Sequence, residues 1–156
     1  MPIVPATIDQ IRPIYAMMRT YVAETVDKCG YSLQWSDGRA ALHIGSLLES
    51  DSNMSFITSG YEGMILGRMG ETWFGPNPIA KPEALYVLPA HRNGLIARAL
   101  LRKFESEAKA RGARYILWEF ESGLSNVKML GGLMEKLGYD YQGPIYLKRL
   151  GETCQQ

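Results

Sequence analysis

The sequence is poor in the residues that staple or metallate a small fold. Its two cysteines, Cys29 and Cys154, stand far apart, and neither has a second Cys or His at ligand spacing. A disulfide framework or a zinc site needs more than that, so reduced thiols in a cytoplasmic protein are expected, and no metal. No apolar run approaches the roughly 18–20 residues that span a bilayer, which argues against a membrane partner. The N-terminal MPIVPATIDQIRP lacks the basic and apolar regions of a secretory signal. Charge of one sign is missing too: 17 basic and 16 acidic side chains leave a formal +1. With no aromatic-basic stripe either, a nucleic-acid partner is not expected.

What is present is ordinary globular composition: 156 residues, 46% hydrophobic and 21% charged. That length predicts one domain over 1–156, burying roughly 70% of the surface its unfolded chain exposes. Its charge is uneven along the chain. Residues 1–80 carry five basic and eight acidic groups, a net −3, and the remainder carries a net +4. An anionic ligand is expected on the second half and, if anything, a cationic one on the first.

Periodicity predicts the elements in order. A short strand over residues 2–8 leads to a helix with Asp9 as N-cap and Pro13 in its first turn. A second helix starts near Ser36 or Asp37 and places Ala41, Leu42, Ile44, Leu47 and Leu48 on its apolar side. Met54–Thr58 and Gly63–Met69 read as a hairpin. Thr72–Pro82, with its three prolines, reads as a loop. Glu83–Leu88 is a strand closed by Pro89, and Leu95–Arg111 a helix whose Ile96, Leu100, Phe104 and Ala108 recur every fourth residue before Gly112 stops it. Arg114–Phe120 reads as a strand and Ser125–Leu137 as a helix ending at Gly138. Tyr146–Leu150 is a last strand that can pair with Tyr139–Gln142. This order predicts an α/β chain with a mixed sheet covered by helices.

The stretch that carries chemistry is Glu83–Leu101, EALYVLPAHRNGLIARALL. A strand, a turn holding Arg92, Asn93 and Gly94, and a helix N-terminus make an anion site. First-turn N–H groups lack helical partners, and glycine lets a phosphate approach the backbone. Strand–Gly–helix junctions without a ligand are common, so this pattern alone is not specific.

The run YVLP-AHRNGLIARALL resembles the acetyl-CoA-binding motif of the GCN5-related N-acetyltransferases (GNAT), a strand followed by Arg/Gln-x-x-Gly-x-Gly/Ala and a helix. The likeness continues through LLRKFESEAKARGARYILWEF to MEKLGYDYQGPIYLKRL, covering residues 83–150 well and the first half by element order. Two departures stand out. Gly94 falls one residue early, leaving Leu95 where a glycine is usual and Ala97 at the last position, so the phosphate turn either changes shape or is carried by Asn93-Gly94. A turn without the second glycine is similar to variants in bacteriophage-encoded acetyltransferases. In addition, Met134 stands where many members place a proton-donating Tyr.

The resemblance implies a central mixed sheet of six to seven strands flanked by about four helices. Residues 1–80 would form the acceptor side and 81–150 the acetyl-CoA side. The implied activity is acetyl transfer from acetyl-CoA directly to a primary amine, the alternative being a degenerate CoA-binding or protein-interaction domain. Glu83 would be the base that frees the amine lone pair. Val87 and Leu88 would pair with the pantetheine arm through their backbone, and Arg92, Asn93, Gly94, Leu95, Ile96, Ala97 and Arg98 would hold the phosphates. Asn126 would touch the pantetheine or cap a helix. Glu119 and Glu121, on one face of a strand, and Trp73 are candidates for the acceptor pocket. His91 reads as a packing or surface residue, and His43 has no motif beside it. Homodimers are common in the family.

Overall fold

A computed structural model describes residues 1–29, 35–72, 75–92, 94–118, 132 and 134–140, with backbone alone over 25–29. Strand β1 (Ile3–Pro5) leads through a 3-10 turn (Ile8–Gln10) into α1 (Ile11–Cys29), then α2 (Asp37–Glu49). Strands β2 (Phe56–Thr58), β3 (Gly63–Thr72) and β4 (Gly75–Val87) follow, then α3 (Leu95–Ala110) and β5 (Tyr115–Ile116). The strands form one sheet in the order β1-β2-β3-β4-β5, antiparallel except for the parallel β4–β5 pair. Five strands are therefore described against the six to seven expected. The strand expected over Tyr146–Leu150, most of the helix expected from Ser125, and Cys154 lie outside the described residues.

Helices cover the two faces unequally. On one face α1 and α2 bury Ile14, Met17, Ile44, Leu47 and Leu48 against Ile57, Met64, Leu66, Ala84 and Tyr86. On the other, α3 buries Ile96, Leu100, Leu101, Phe104 and Ala108 against Phe56, Ile65, Ala80 and Val87. Phe104, wholly buried, sits so close to β3 that a Cβ on Gly67 would lie 2.7 Å from its ring. Met134 is buried in this second cluster, so its side chain packs the core instead of facing a cleft.

Two expectations need correcting. The helical N-terminus is capped by Thr7, whose N–H donates to Gln10 Oε1 at 3.1 Å, and Asp9 lies inside the first turn. The proline-rich Thr72–Pro82 segment is not a loop, since β4 begins at Gly75 and runs through all three prolines. Pro78 and Pro82 pair with Glu71 and Gly67. The Gly67 carbonyl faces β2, where it accepts from Met54 N–H at 2.9 Å. Alternation along the ladder therefore turns the Pro78 and Pro82 nitrogens away from β3, where no donor is missed. Pro82 does matter on the β5 side. Leu117 N–H donates to the Ala80 carbonyl at 2.9 Å, and the next bond in this parallel register would need an N–H on residue 82. Proline has none, and among the described residues the β4–β5 pairing ends there.

Candidate functional site

β4 changes character after Pro82. Leu66 pairs with Ala84 and Gly67 with Pro82, so Glu83 is an extra residue with no partner across the ladder. This bulge puts two successive side chains on one face. Ala84 packs into the α1/α2 core, and Glu83 points the same way, its Oε2 lying 2.7 Å from Nε2 of His43 on α2. Its Oε1 lies 3.0 Å from Nε of Arg68 on β3. The Glu83 side chain is 23% exposed, against 58% for His43 and 52% for Arg68. A half-covered carboxylate thus meets one imidazole and one guanidinium at the rim of the sheet. Neither His43 nor Arg68 was legible as a site residue, because 40 and 15 positions of sequence separate them from Glu83. Alternation along β3 supplies a signal for Arg68, since it continues the Met64, Leu66 face; no spacing in the sequence points to His43.

The strand edge beyond the bulge is set by the same alternation. Leu88 N–H donates to the Glu62 carbonyl at 2.8 Å and so faces β3. Leu85 and Val87 then turn their N–H and C=O groups to the opposite edge, where no described strand pairs with them. Arg92 confirms the direction, since its Nε donates to the Val87 carbonyl at 2.8 Å. Of the two residues expected to meet a pantetheine arm, Val87 is turned to that edge and Leu88 is not.

Arg92 is held on several sides. Its Nη2 donates to both Glu24 oxygens, at 2.9 and 2.8 Å, and its guanidinium lies 5.2 Å from the Tyr86 ring centroid. Tyr86 donates its hydroxyl to Glu24 Oε1 at 2.7 Å. Burial, with the Glu24 carboxylate second, pushes the Tyr86 phenol up to about 12. The turn that follows ends at Gly94, whose φ of +82° is a left-handed conformation that glycine adopts without strain. Gly94 is the N-cap of α3. Ile96 is buried, whereas Leu95 and Arg98 are exposed. The first turn of α3 therefore brings the positive end of a helix dipole beside that β4 edge.

A second polar cluster lies where α1 meets α2. Tyr15 and Asp37 are hydrogen-bonded through the Tyr15 hydroxyl, and Trp35 Nε1 donates to Asp37 Oδ1 at 2.6 Å. The Tyr15 and Trp35 rings meet edge to face at 5.7 Å. The hydrogen bond from Tyr15, then that from Trp35, holds the Asp37 carboxyl below its ordinary value, and the same bond raises the Tyr15 phenol. His91 is exposed in a 3-10 turn (Pro89–His91). Its charge adds a small downward effect on Glu62, whose carboxyl is lowered first by its bond with Thr58. Asn93, Trp73, Glu119, Glu121 and Asn126 lie outside the described residues. Among the described residues no group of His, Cys, Asp or Glu could hold a metal ion, and no helix is long and apolar enough to cross a membrane.

Comparison with known proteins places this geometry. The sequence matches the acetyltransferase (GNAT) family over residues 15–139. No curated protein sequence matches it significantly. Among solved structures it is similar to the aminoglycoside N-acetyltransferase AAC(6')-Iy in complex with CoA. Identity there is 14% and the TM-score 0.73, over 96% of this chain and 94% of that one. It is also similar to a putative acetyl transferase from Pyrococcus furiosus, at 23% identity and TM-score 0.71 over 96% and 99%. A ribosomal-protein-alanine N-acetyltransferase from Brucella melitensis shows 14% identity and TM-score 0.69 over 96% and 100%. These likenesses show the shared fold, and the family match covers most of the sequence. The chain belongs to the GNAT family of acetyltransferases.

Proposed function

We propose that the protein acetylates a primary amine directly from acetyl-CoA, with Glu83 taking the amine's proton. The observation that carries the reading is the bulge, which aims Glu83 at the α1/α2 face just beyond the last described β4–β5 pair.

The residues present fit acetyl-CoA. Leu85 and Val87 turn backbone groups to an edge where no described strand pairs with them, and an extended pantetheine arm can add to such an edge like a strand. Gly94 and the first turn of α3, through Ile96 and Ala97, are proposed to offer backbone donors to phosphate, with Arg98 one turn in. Arg92, Asn93 and Leu95 complete the proposed turn, and Asn126 remains a proposed pantetheine contact. When bound, acetyl-CoA supplies an activated thioester open to attack by a neutral amine. This chain's contribution is to make the amine neutral and to offer the Val87 N–H to a developing oxyanion. A lysine-like ammonium has a pKa of about 10.4 and no lone pair until a base removes its proton. Asp37, kept ionised by Tyr15 and Trp35, adds negative charge on the face where a cationic acceptor would lie. Glu119, Glu121 and Trp73 are further proposed acceptor contacts.

AAC(6')-Iy has been solved with a bisubstrate analogue, CoA-S-monomethyl-acetylneamine, and the Brucella relative is named for ribosomal-protein alanine. Neamine and an N-terminal alanyl peptide are therefore the first acceptors to assay. Thiol release from acetyl-CoA with either amine, reduced about 100-fold or more in Glu83→Gln, is the expected result. A wild-type chain that binds acetyl-CoA yet acetylates neither amine counts against the transferase. That outcome favours a second reading, a CoA-binding domain with little turnover, for which the burial of Met134 at the usual Tyr position is the supporting observation.

A further inference from the structure

We propose that His43 is the proton exit of this site, a relay that carries the proton from Glu83 to solvent. The proposal rests on the reading of Glu83 as the group that deprotonates the amine.

Glu83 places its Oε1 3.0 Å from Nε of Arg68. Its side chain is only 23% exposed, so direct exchange with bulk water is restricted. Its other oxygen, Oε2, lies 2.7 Å from His43 Nε2, within the range of a charge-assisted hydrogen bond. That contact gives a proton on Glu83 a direct path to a ring nitrogen. His43 sits on α2 with its side chain 58% exposed. One nitrogen thus faces the carboxylate while much of the ring faces water. Glu83 from β4 and Arg68 from β3 are the charged groups that meet this pair from the packed strands.

The proton balance closes over one turnover. The ammonium gives a proton to the Glu83 carboxylate, and the freed lone pair attacks the acetyl carbon. Glu83 Oε2–H passes that proton to His43 Nε2, forming an imidazolium. The ring accepts as its Nδ1–H tautomer. The imidazolium then loses its Nδ1 proton to solvent, and Glu83 is a carboxylate again. Solvent exchange moves the remaining ring proton from Nε2 back to Nδ1 before the next turnover. The relay moves one proton from amine to water and needs no other reactant.

The variant that isolates the relay is His43→Gln. The amide can still donate to Glu83, but it cannot accept and release a proton in this pH range. With the faster of the two acceptors, in dilute non-basic buffer, His43→Gln is expected to turn over at least about tenfold more slowly than wild type. Added imidazole should restore most of the lost rate, because a small base in solution replaces the missing ring. Glu83→Gln should be slow and insensitive to imidazole. Because the side chain is exposed, His43→Gln should melt with the wild type. Wild-type speed in His43→Gln overturns the relay and leaves the Glu83 reading standing. A slow His43→Gln that imidazole fails to restore also overturns it, since a residue that only positions Glu83 would behave so. Full activity in Glu83→Gln overturns the reading of the carboxylate itself, and the relay with it.

Discussion

The two faces of the sheet use the same strands for different ends. On the α3 face, Phe104, Leu100 and Leu101 are wholly buried, and the salt bridges found there, Lys103–Glu107 and Arg111–Glu107, run along the exposed side of the helix. On the α1/α2 face the core is also apolar at its centre, but its rim carries three polar groupings that join separate elements. These are Glu83–His43–Arg68, Glu24–Arg92–Tyr86 and Tyr15–Trp35–Asp37. One face holds the sheet rigid and the other is free to carry charge. An active site built on a packed sheet gains fixed geometry in this way, since functional groups stand on elements that the opposite face immobilises.

Substitutions can break that division from either side. The largest effect on stability is expected from Phe104→Ala, which empties the α3 face and should cost about 3–5 kcal/mol in a denaturant titration. Glu83→Gln should spare stability and lower the acetylation rate about 100-fold, roughly 2.7 kcal/mol of barrier, measured by thiol release. Gly94→Ala meets no neighbouring atom but must hold φ at +82°. It should lose about 1–2 kcal/mol by thermal melting and weaken acetyl-CoA binding in calorimetry.

The smallest effect sharpens the comparison at Tyr86. Its phenol is raised to about 12 from an ordinary 10.0, burial first and Glu24 second. In Glu24→Gln the phenolate absorbance should therefore appear earlier in an alkaline titration, yet still above 10, since burial remains. The sign for stability follows. Tyr86 binds its proton more tightly when folded, so its contribution is whole below pH 10 and is lost as pH climbs through about 12.

What was legible in the sequence follows the range of the interactions involved. The α3 stripe of Ile96, Leu100, Phe104 and Ala108 is a local period, and the structure places the helix at Leu95–Ala110. The Arg-Asn-Gly turn before it is also local, and the left-handed Gly94 could be anticipated from residue type. The prolines of β4 misled because a proline forbids one hydrogen bond, and only the register says whether that bond was wanted. His43 and Arg68 reach Glu83 through the packing of α2 and the pairing of β3, neither of which leaves a spacing to read. Glu24 reaches Arg92 across 68 positions by the same route.

The bulge at Glu83 is finally a matter of counting. Upstream of it Ala80 faces α3, and downstream Ala84 faces α1 and α2, so the strand changes phase by half a pleat while β3 keeps its own. A chain lacking Glu83 would restore the ladder, since Pro82 and Ala84 already pair with the neighbouring Gly67 and Leu66. Lys81 and Pro82 would keep their faces, and the carboxylate would be gone from the rim. The acid stands at the rim only because the extra residue is there, so one insertion supplies both the change of phase and the carboxylate.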